Sequence, residues 1–360
     1  MTDTSSDWAT LLIGQDLGGY MVDTCIGGGS FGLVFEVTNV KTGSQFAMKV
    51  LIPYSDAGAT ADFDGEGLLL GKLNKCSNVI NLIESRTASI PVQLPNGPSV
   101  HLPFKFHVLS LASGALDEVL SDPVHRNSVP WLERLSHWRG TIKGVHQMHL
   151  HTVAHRDLKS SNCLLMLRGG ETEMRIADLG RSKDFSNPAS LQLQDYLSGR
   201  GDRRFAPPEY LWLQGGDTER DFRNADLYGL GSLFVELATG QPMTALAIGD
   251  WANAFEQGKR DYLAGTHRDL ATLRPQFRRA AEEMAEELPA VIRHEAVTLI
   301  RQLCDPVPAE RQPRRFPGRR FVPDDGLPWL LRRADILSRR LSVETRIPNY
   351  KSLKTTNRSA

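Results

Sequence analysis

The chain has 360 residues, 41% hydrophobic and 23% charged, and its 42 basic and 42 acidic side chains cancel. This length suits one large core or two lobes, the composition is that of an ordinary globular protein, and the overall charge names no partner. No apolar run approaches the roughly 20 residues that span a bilayer. The first residues are polar and acidic, unlike a secretory signal. Cys25, Cys76, Cys163 and Cys304 form no C-x-x-C pair, which argues against a disulfide framework or zinc site and suits a reducing, cytoplasmic setting.

Residues 1–19 read as an N-terminal extension. Residues 22–26, 33–40 and 45–51 carry the β-branched and aromatic enrichment of strands, with Val40-Lys41-Thr42-Gly43 as the turn between the last two. Between the first two lies Gly27-Gly28-Gly29-Ser30-Phe31-Gly32-Leu33-Val34, a G-x-G-x-x-G-x-V pattern. A dinucleotide-binding loop shares part of it but leads into a helix, whereas this one leads into a second strand. Strand–turn–strand lets bare glycine backbone approach phosphate oxygens. Ala47-Met48-Lys49 ends the next strand, where Lys49 is placed to neutralise phosphate charge.

Residues 62–73 read as a helix with Phe63, Leu69, Leu70 and Leu73 on its apolar side. Its Glu66 is the expected carboxylate partner of Lys49, ahead of Asp62 and Asp64. Gly65, Gly67 and Gly71 weaken this helix, so Gly67→Ala is expected to raise basal activity by favouring the state in which Glu66 reaches Lys49. Residues 90–111 read as an extended hairpin around Asn96-Gly97, with Val92 and Leu94 alternating before the turn and Val100 and Leu102 after it.

From Ala115 onward the pattern turns helical. Leu135, Trp138, Ile142, Val145 and Met148 recur at helical spacing, and residues 226–239 and 289–303 read as buried helices. The fold class is therefore α+β, a small β-rich N-lobe at 20–111 with one main helix and a larger α-helical C-lobe at 112–311, with the ligand cleft expected between lobes.

The sharpest local signal is His155-Arg156-Asp157-Leu158-Lys159-Ser160-Ser161-Asn162, which meets H-R-D-L-x-x-x-N at every fixed position. Asp157 would accept or orient the acceptor hydroxyl proton. Lys159 would offset charge on the transferred group, and Asn162 would bind a divalent ion through its amide oxygen. Asp178-Leu179-Gly180 follows sixteen residues after Asn162, with Asp178 as the second metal-binding residue.

In that order these motifs resemble the protein kinase family over about residues 20–311. The resemblance implies a bilobal kinase fold and ATP with Mg²⁺ (or Mn²⁺) as cofactors. It implies nucleotide contacts from Gly27, Gly28, Gly29, Ser30, Phe31, Gly32, Val34, Ala47, Lys49, Glu66 and Leu164. It implies metal contacts from Asn162 and Asp178, and catalysis by Asp157, Lys159 and Lys49. Phe205-Ala206-Pro207-Pro208-Glu209 resembles the A-P-E element, Asp226 the residue that ties down the catalytic loop, and Arg311 the partner of Glu209. Lys159 resembles the Ser/Thr branch, although Asp202 stands where that branch usually carries Thr. A pseudokinase scaffold and a small-molecule phosphotransferase are the competing readings. The presence of Lys49, Asp157 and Asp178 counts against the first, while Lys159, Pro208-Glu209 and Asp226 count against the second.

Two regions bear on regulation and partners. Ser182, Ser186, Ser190, Tyr196 and Ser198 lie between Gly180 and Pro207. Ser198 is the first candidate for autophosphorylation, with Arg156 as receiver of the phosphate. Residues 312–360 read as a basic C-terminal tail: from Arg311 onward the chain holds thirteen Lys or Arg against four acids. The tail either packs on the compensating acidic body or docks an acidic partner. No aromatic pattern for nucleic acid accompanies its charge.

Overall fold

The computed structural model describes residues 4–28, 32–93, 97–186, 202–313 and 327–356. It divides into two compact units. The first takes in the chain up to Ser113 together with Met166–Thr172 and Ala177–Arg181; the second takes in the rest.

The first unit is built on an antiparallel sheet of order β1-β2-β3-β5-β4. Its strands are β1 (Tyr20–Gly28), β2 (Gly32–Asn39), β3 (Gln45–Leu51), β4 (Leu82–Gln93) and β5 (Ser99–Leu109). Period-two alternation gives the sheet two faces. Leu33, Phe35 and Val37 of β2, Met48 and Val50 of β3, and Phe104, Phe106 and Val108 of β5 form one buried core. A helix not foreseen from the sequence, α1 (Thr4–Leu12), covers that core with Leu12 and Trp8. The Trp8 ring meets Phe104 edge-on at 6.0 Å. α1 is therefore part of this unit's core.

The opposite face carries Ala47, Lys49 and His107 and receives α2 (Ala57–Lys72). α2 begins five residues before its expected start because Asp56 caps it, its carboxylate accepting the Ala59 amide at 2.7 Å. The expected β4–β5 hairpin forms, with Val92 opposite Val100 and Gln93 opposite Ser99; residues 94–96 lie outside the described residues.

In the second unit, α5 (Trp131–Leu150) and α7 (Glu219–Thr239) form the centre. The short β6 (Gly114–Ala115), α3 (Leu116–Leu120) and α4 (Pro123–Ser128) precede α5, and between α5 and α7 in sequence lie β7 (Val153–Ala154), β8 (Cys163–Arg168), β9 (Glu171–Ile176), β10 (Lys183–Asp184) and α6 (Pro208–Leu211), the stretch Met166–Thr172 of β8 and β9 being counted with the first unit. α5 buries the predicted stripe Leu135, Trp138, Ile142, Val145 and Met148, and the Trp138 indole N–H donates to the Leu230 carbonyl at 2.8 Å. α7 is buried on nearly all sides from Asn224 to Ala238. A reciprocal Thr218–Asp221 capping box starts it, and Gly240 at φ 77° ends it. α8 (Met243–Ile248), α9 (Trp251–Leu263), α10 (Arg274–Glu286) and α11 (Ala290–Leu303) follow.

Of the basic tail, Pro328–Thr356 forms helix α12. Leu327, Leu330, Ala334, Leu337 and Leu341 are buried at three- and four-residue spacing, so an apolar seam fixes this segment. Its charges meet carboxylates of the same unit: Glu295 takes Arg333 at 2.8 Å and Arg340 at 3.3 Å. Arg139 reaches Asp335 at 2.6 Å. Among the described residues no helix is long and apolar enough to cross a membrane.

Candidate active site

The first unit assembles a triad of charges. Lys49 projects from β3, opposite Val34 of β2, and its Nζ lies 2.7 Å from Glu66 Oε2 and 3.0 Å from Asp178 Oδ1. Burial alone would pull the lysine pKa down, but the two carboxylates outweigh it and hold the ammonium charged. The Glu66 side chain is 3% exposed. Burial pushes its carboxyl up, and Lys49 together with the Leu179 amide draws it back. Its second oxygen, Oε1, accepts that amide at 3.3 Å, so one carboxylate fixes both the lysine and the turn that follows Asp178.

Asp178 has φ 59°. A left-handed backbone is costly for a non-glycine residue and persists where its surroundings hold it; here Leu179 is fully buried and Lys49 grips the carboxylate. The Asp178 side chain is half exposed. Ala47 is buried on the same strand face as Lys49. Gly27 and Gly28 end β1 and Gly32 opens β2. Gly32 is required by close approach, since a Cβ there would lie 2.8 Å from the Val50 carbonyl oxygen. Gly29, Ser30 and Phe31 lie outside the described residues.

The second unit holds the other group. Asp157 Oδ2 lies 3.2 Å from Lys159 Nζ, and the Asn162 side-chain nitrogen donates to the Asp157 carbonyl at 2.8 Å. With that nitrogen committed, the amide oxygen is the atom Asn162 offers to a cation. Leu164 is half-buried and pairs with Ala115 between β6 and β8.

Asp226, on α7, anchors this loop. It is buried, and its carboxylate accepts the His155 amide at 2.9 Å, the Arg156 amide at 2.7 Å and the His149 ring at 2.8 Å. Burial would raise its pKa, but the hydrogen bond and charge of His149 outweigh that and leave it low. Arg156 has φ 69°, so the bend that sets up Asp157 is a strained one held by two amides on one carboxylate. The His155 ring adds to it by accepting the Asp157 amide at 3.2 Å. His149 had no local motif to mark it in the sequence.

Glu236 was missed for the same reason. It lies buried on α7, and Ser160 of the catalytic loop donates to its Oε1 at 2.5 Å, while its Oε2 is buried without a hydrogen-bond partner. Burial pushes this carboxyl up to about 7. Asp202 bonds the Arg204 amide and guanidinium, each at 3.0 Å; burial would raise its pKa, but those bonds lower it. The Arg156 guanidinium lies over the Phe222 ring at 4.4 Å. Ser182 donates to the His155 carbonyl at 3.4 Å and Ser186 to Asp184 at 2.6 Å. Ser190, Tyr196 and Ser198 lie outside the described residues.

The expectation for Gly67→Ala is overturned. A Cβ on Gly67 would lie 2.6 Å from Cε1 of His107, and His107 is 3% exposed with both ring nitrogens hydrogen-bonded. The ring cannot yield, so alanine here displaces the helix rather than stabilising it.

The chain matches the protein kinase domain model over residues 20–314. It is 29% identical to cyclin-dependent kinase 9 of Homo sapiens over 220 residues, 61% of this chain and 55% of that protein. It is 31% identical to cysteine-rich receptor-like protein kinase 14 of Arabidopsis thaliana over 219 residues, 60% of this chain and 29% of that one. Serine/threonine-protein kinase BRI1-like 2 of the same plant is 31% identical over 262 residues, 70% of this chain and 20% of its own length. The chain thus spans about half of the first relative and under a third of the other two.

Proposed function

Since this chain belongs to the protein kinase family, on its serine/threonine side, we propose that it transfers the γ-phosphate of ATP to serine or threonine hydroxyls of proteins, itself included. Asp157 accepts the hydroxyl proton as the oxygen forms its bond to the γ-phosphorus. The bond from that phosphorus to the bridging oxygen breaks, and ADP leaves. Lys159, 3.2 Å from Asp157, offsets charge on the group in transit. Lys49 holds the phosphates and is itself held by Glu66.

The candidate metal residues fit a hard cation. Asp178 offers a half-exposed carboxylate and Asn162 an amide oxygen, the oxygen donors Mg²⁺ prefers, with Mn²⁺ as substitute. When bound, Mg²⁺ neutralises phosphate charge.

The observation that carries this reading is the Lys49–Glu66–Asp178 charge cluster, with Lys49 bonded to one carboxylate at 2.7 Å and the other at 3.0 Å. The four free thiols support a cytoplasmic setting. Among the described residues, the exposed Arg332 and Arg339 of α12 are open to an acidic partner. The test is label from γ-labelled ATP with Mg²⁺, offered to the chain and to a generic basic protein, followed by phosphoamino-acid analysis. Label on serine or threonine that is lost in Lys49→Met supports the reading. Nucleotide binding without transfer by the wild type supports the scaffold instead.

A further inference from the structure

Lys49, His107 and Ser85 stand in one cross-strand row. Lys49 is opposite His107 between β3 and β5, and Ser85 is opposite His107 between β4 and β5. Opposed residues on antiparallel strands share a face, and this is the face that α2 covers. The His107 ring stacks on Phe63 of α2, centroids 3.9 Å apart and planes 10° apart. Its Nε2 lies 3.0 Å from the Phe63 carbonyl oxygen. A carbonyl only accepts, so Nε2 carries the proton and Nδ1 accepts the Ser85 hydroxyl at 2.8 Å. The same ring occupies the space beside Gly67.

Phe63 and Gly67 are one helical turn apart and bracket Glu66. His107 therefore touches α2 by a stacked ring, a directed hydrogen bond and a steric stop, all within the turn that presents Glu66. Two residues earlier on the same strand, Lys105 adds a contact to Asp64 at 2.7 Å, but that pair is exposed and adds little. An apolar core side chain would fill the same volume without fixing an angle. Gly67, a poor helix former, is explained by the ring it admits.

We infer that His107 is a positioning residue that sets the depth and rotation of α2 on the sheet, and through them the reach of Glu66 to Lys49. It touches no reacting group. Burial holds its imidazole pKa down, with the help of Lys49 and Lys105 and against the hydrogen bond to the Phe63 carbonyl and the charge of Asp64, in keeping with a single fixed tautomer.

The kinetic arm rests on the proposed phosphoryl transfer; a second arm, hydrogen exchange of the α2 amides, does not. Gly67→Ala is made in the wild type and in a His107→Ala background. Alone it lowers kcat/KM for ATP roughly tenfold, mainly through KM, and speeds exchange along α2. In the His107→Ala background, where the ring is gone, the further loss falls to about twofold or less. Equal losses in both backgrounds overturn the inference. Should His107→Ala not fold, Ser85→Ala removes the Nδ1 partner with little change in packing. Faster α2 exchange at an unchanged melting temperature is expected, and unchanged exchange overturns the inference. A wild type without transfer sinks the proposed function, while the exchange arm still decides the role of His107.

Discussion

Arg311 meets Glu209 in a buried two-point ion pair, Nη1 to Oε1 at 2.7 Å and Nη2 to Oε2 at 2.6 Å. The two residues are 102 positions apart, so the pair ties α6, just beyond Pro207, to the far end of the kinase domain. Arg311 also donates to the carbonyls of Asp305 and Asn224 and lies 4.9 Å over the Tyr228 ring. Removing one partner strands a buried charge, so Arg311→Met is expected to destabilise the second unit by about 3–5 kcal/mol. The double variant Glu209→Gln/Arg311→Met is expected to recover part of that. Urea denaturation of the single and double variants gives both numbers; equal stability of wild type and single variant contradicts the role.

Glu236 makes stability depend on pH. Its folded pKa of about 7 lies above the ordinary 4.5, so the native state binds a proton that the unfolded chain releases between those values. The native state is favoured below pH 4.5 and loses that advantage as pH rises to 7, about 3 kcal/mol over the window. Glu236→Gln keeps an oxygen for the Ser160 hydroxyl and cannot ionise. The variant should match the wild type at pH 5 and exceed its melting temperature at pH 8. A constant difference at both pH values would show that Glu236 does not titrate there.

The three glycines of α2 separate by environment. A Cβ on Gly65 or Gly71 meets nothing within 4 Å, whereas one on Gly67 meets His107 at 2.6 Å. Gly65→Ala and Gly71→Ala should each stabilise by up to about 1 kcal/mol through helix propensity, and Gly67→Ala should destabilise. Thermal melts of the three single variants check the order.

Asp226→Asn tests the loop anchor. Asparagine keeps the size but replaces one acceptor oxygen with a donor, which faces the His155 or Arg156 amide. A left-handed Arg156 then loses one of its two restraints. The expected outcome is a fall in kcat of about tenfold or more with KM for ATP little changed, because Lys49, Glu66 and Asp178 are untouched. A change confined to KM would contradict this assignment.

Much of this was legible in the sequence for physical reasons that differ by element. The stripe from Leu135 to Met148 declares its helix because one buried face repeats every three to four residues. The loop from His155 to Asn162 declares itself because its chemistry is packed into eight consecutive positions. Contacts made at long range left no such mark. His149 finds Asp226 77 residues away, and His107 finds Phe63 44 residues away; a lone histidine carries no local pattern. The arginines of α12 masked the seam of Leu330, Ala334, Leu337 and Leu341. α1 was hidden by its short length and polar start. Gly67 was misread because propensity counts the helix alone, while the residue that decides its size sits on β5.

The central claim is that Asp157 drives transfer of phosphate to a hydroxyl. Its most direct test is a single-turnover measurement with γ-labelled ATP and Mg²⁺, comparing wild type with Asp157→Asn after confirming that both bind the nucleotide. The account predicts labelled phosphoserine or phosphothreonine from the wild type and a loss of at least about 10²-fold in the variant, the scale of a missing general base. Equal transfer by the two proteins would contradict it.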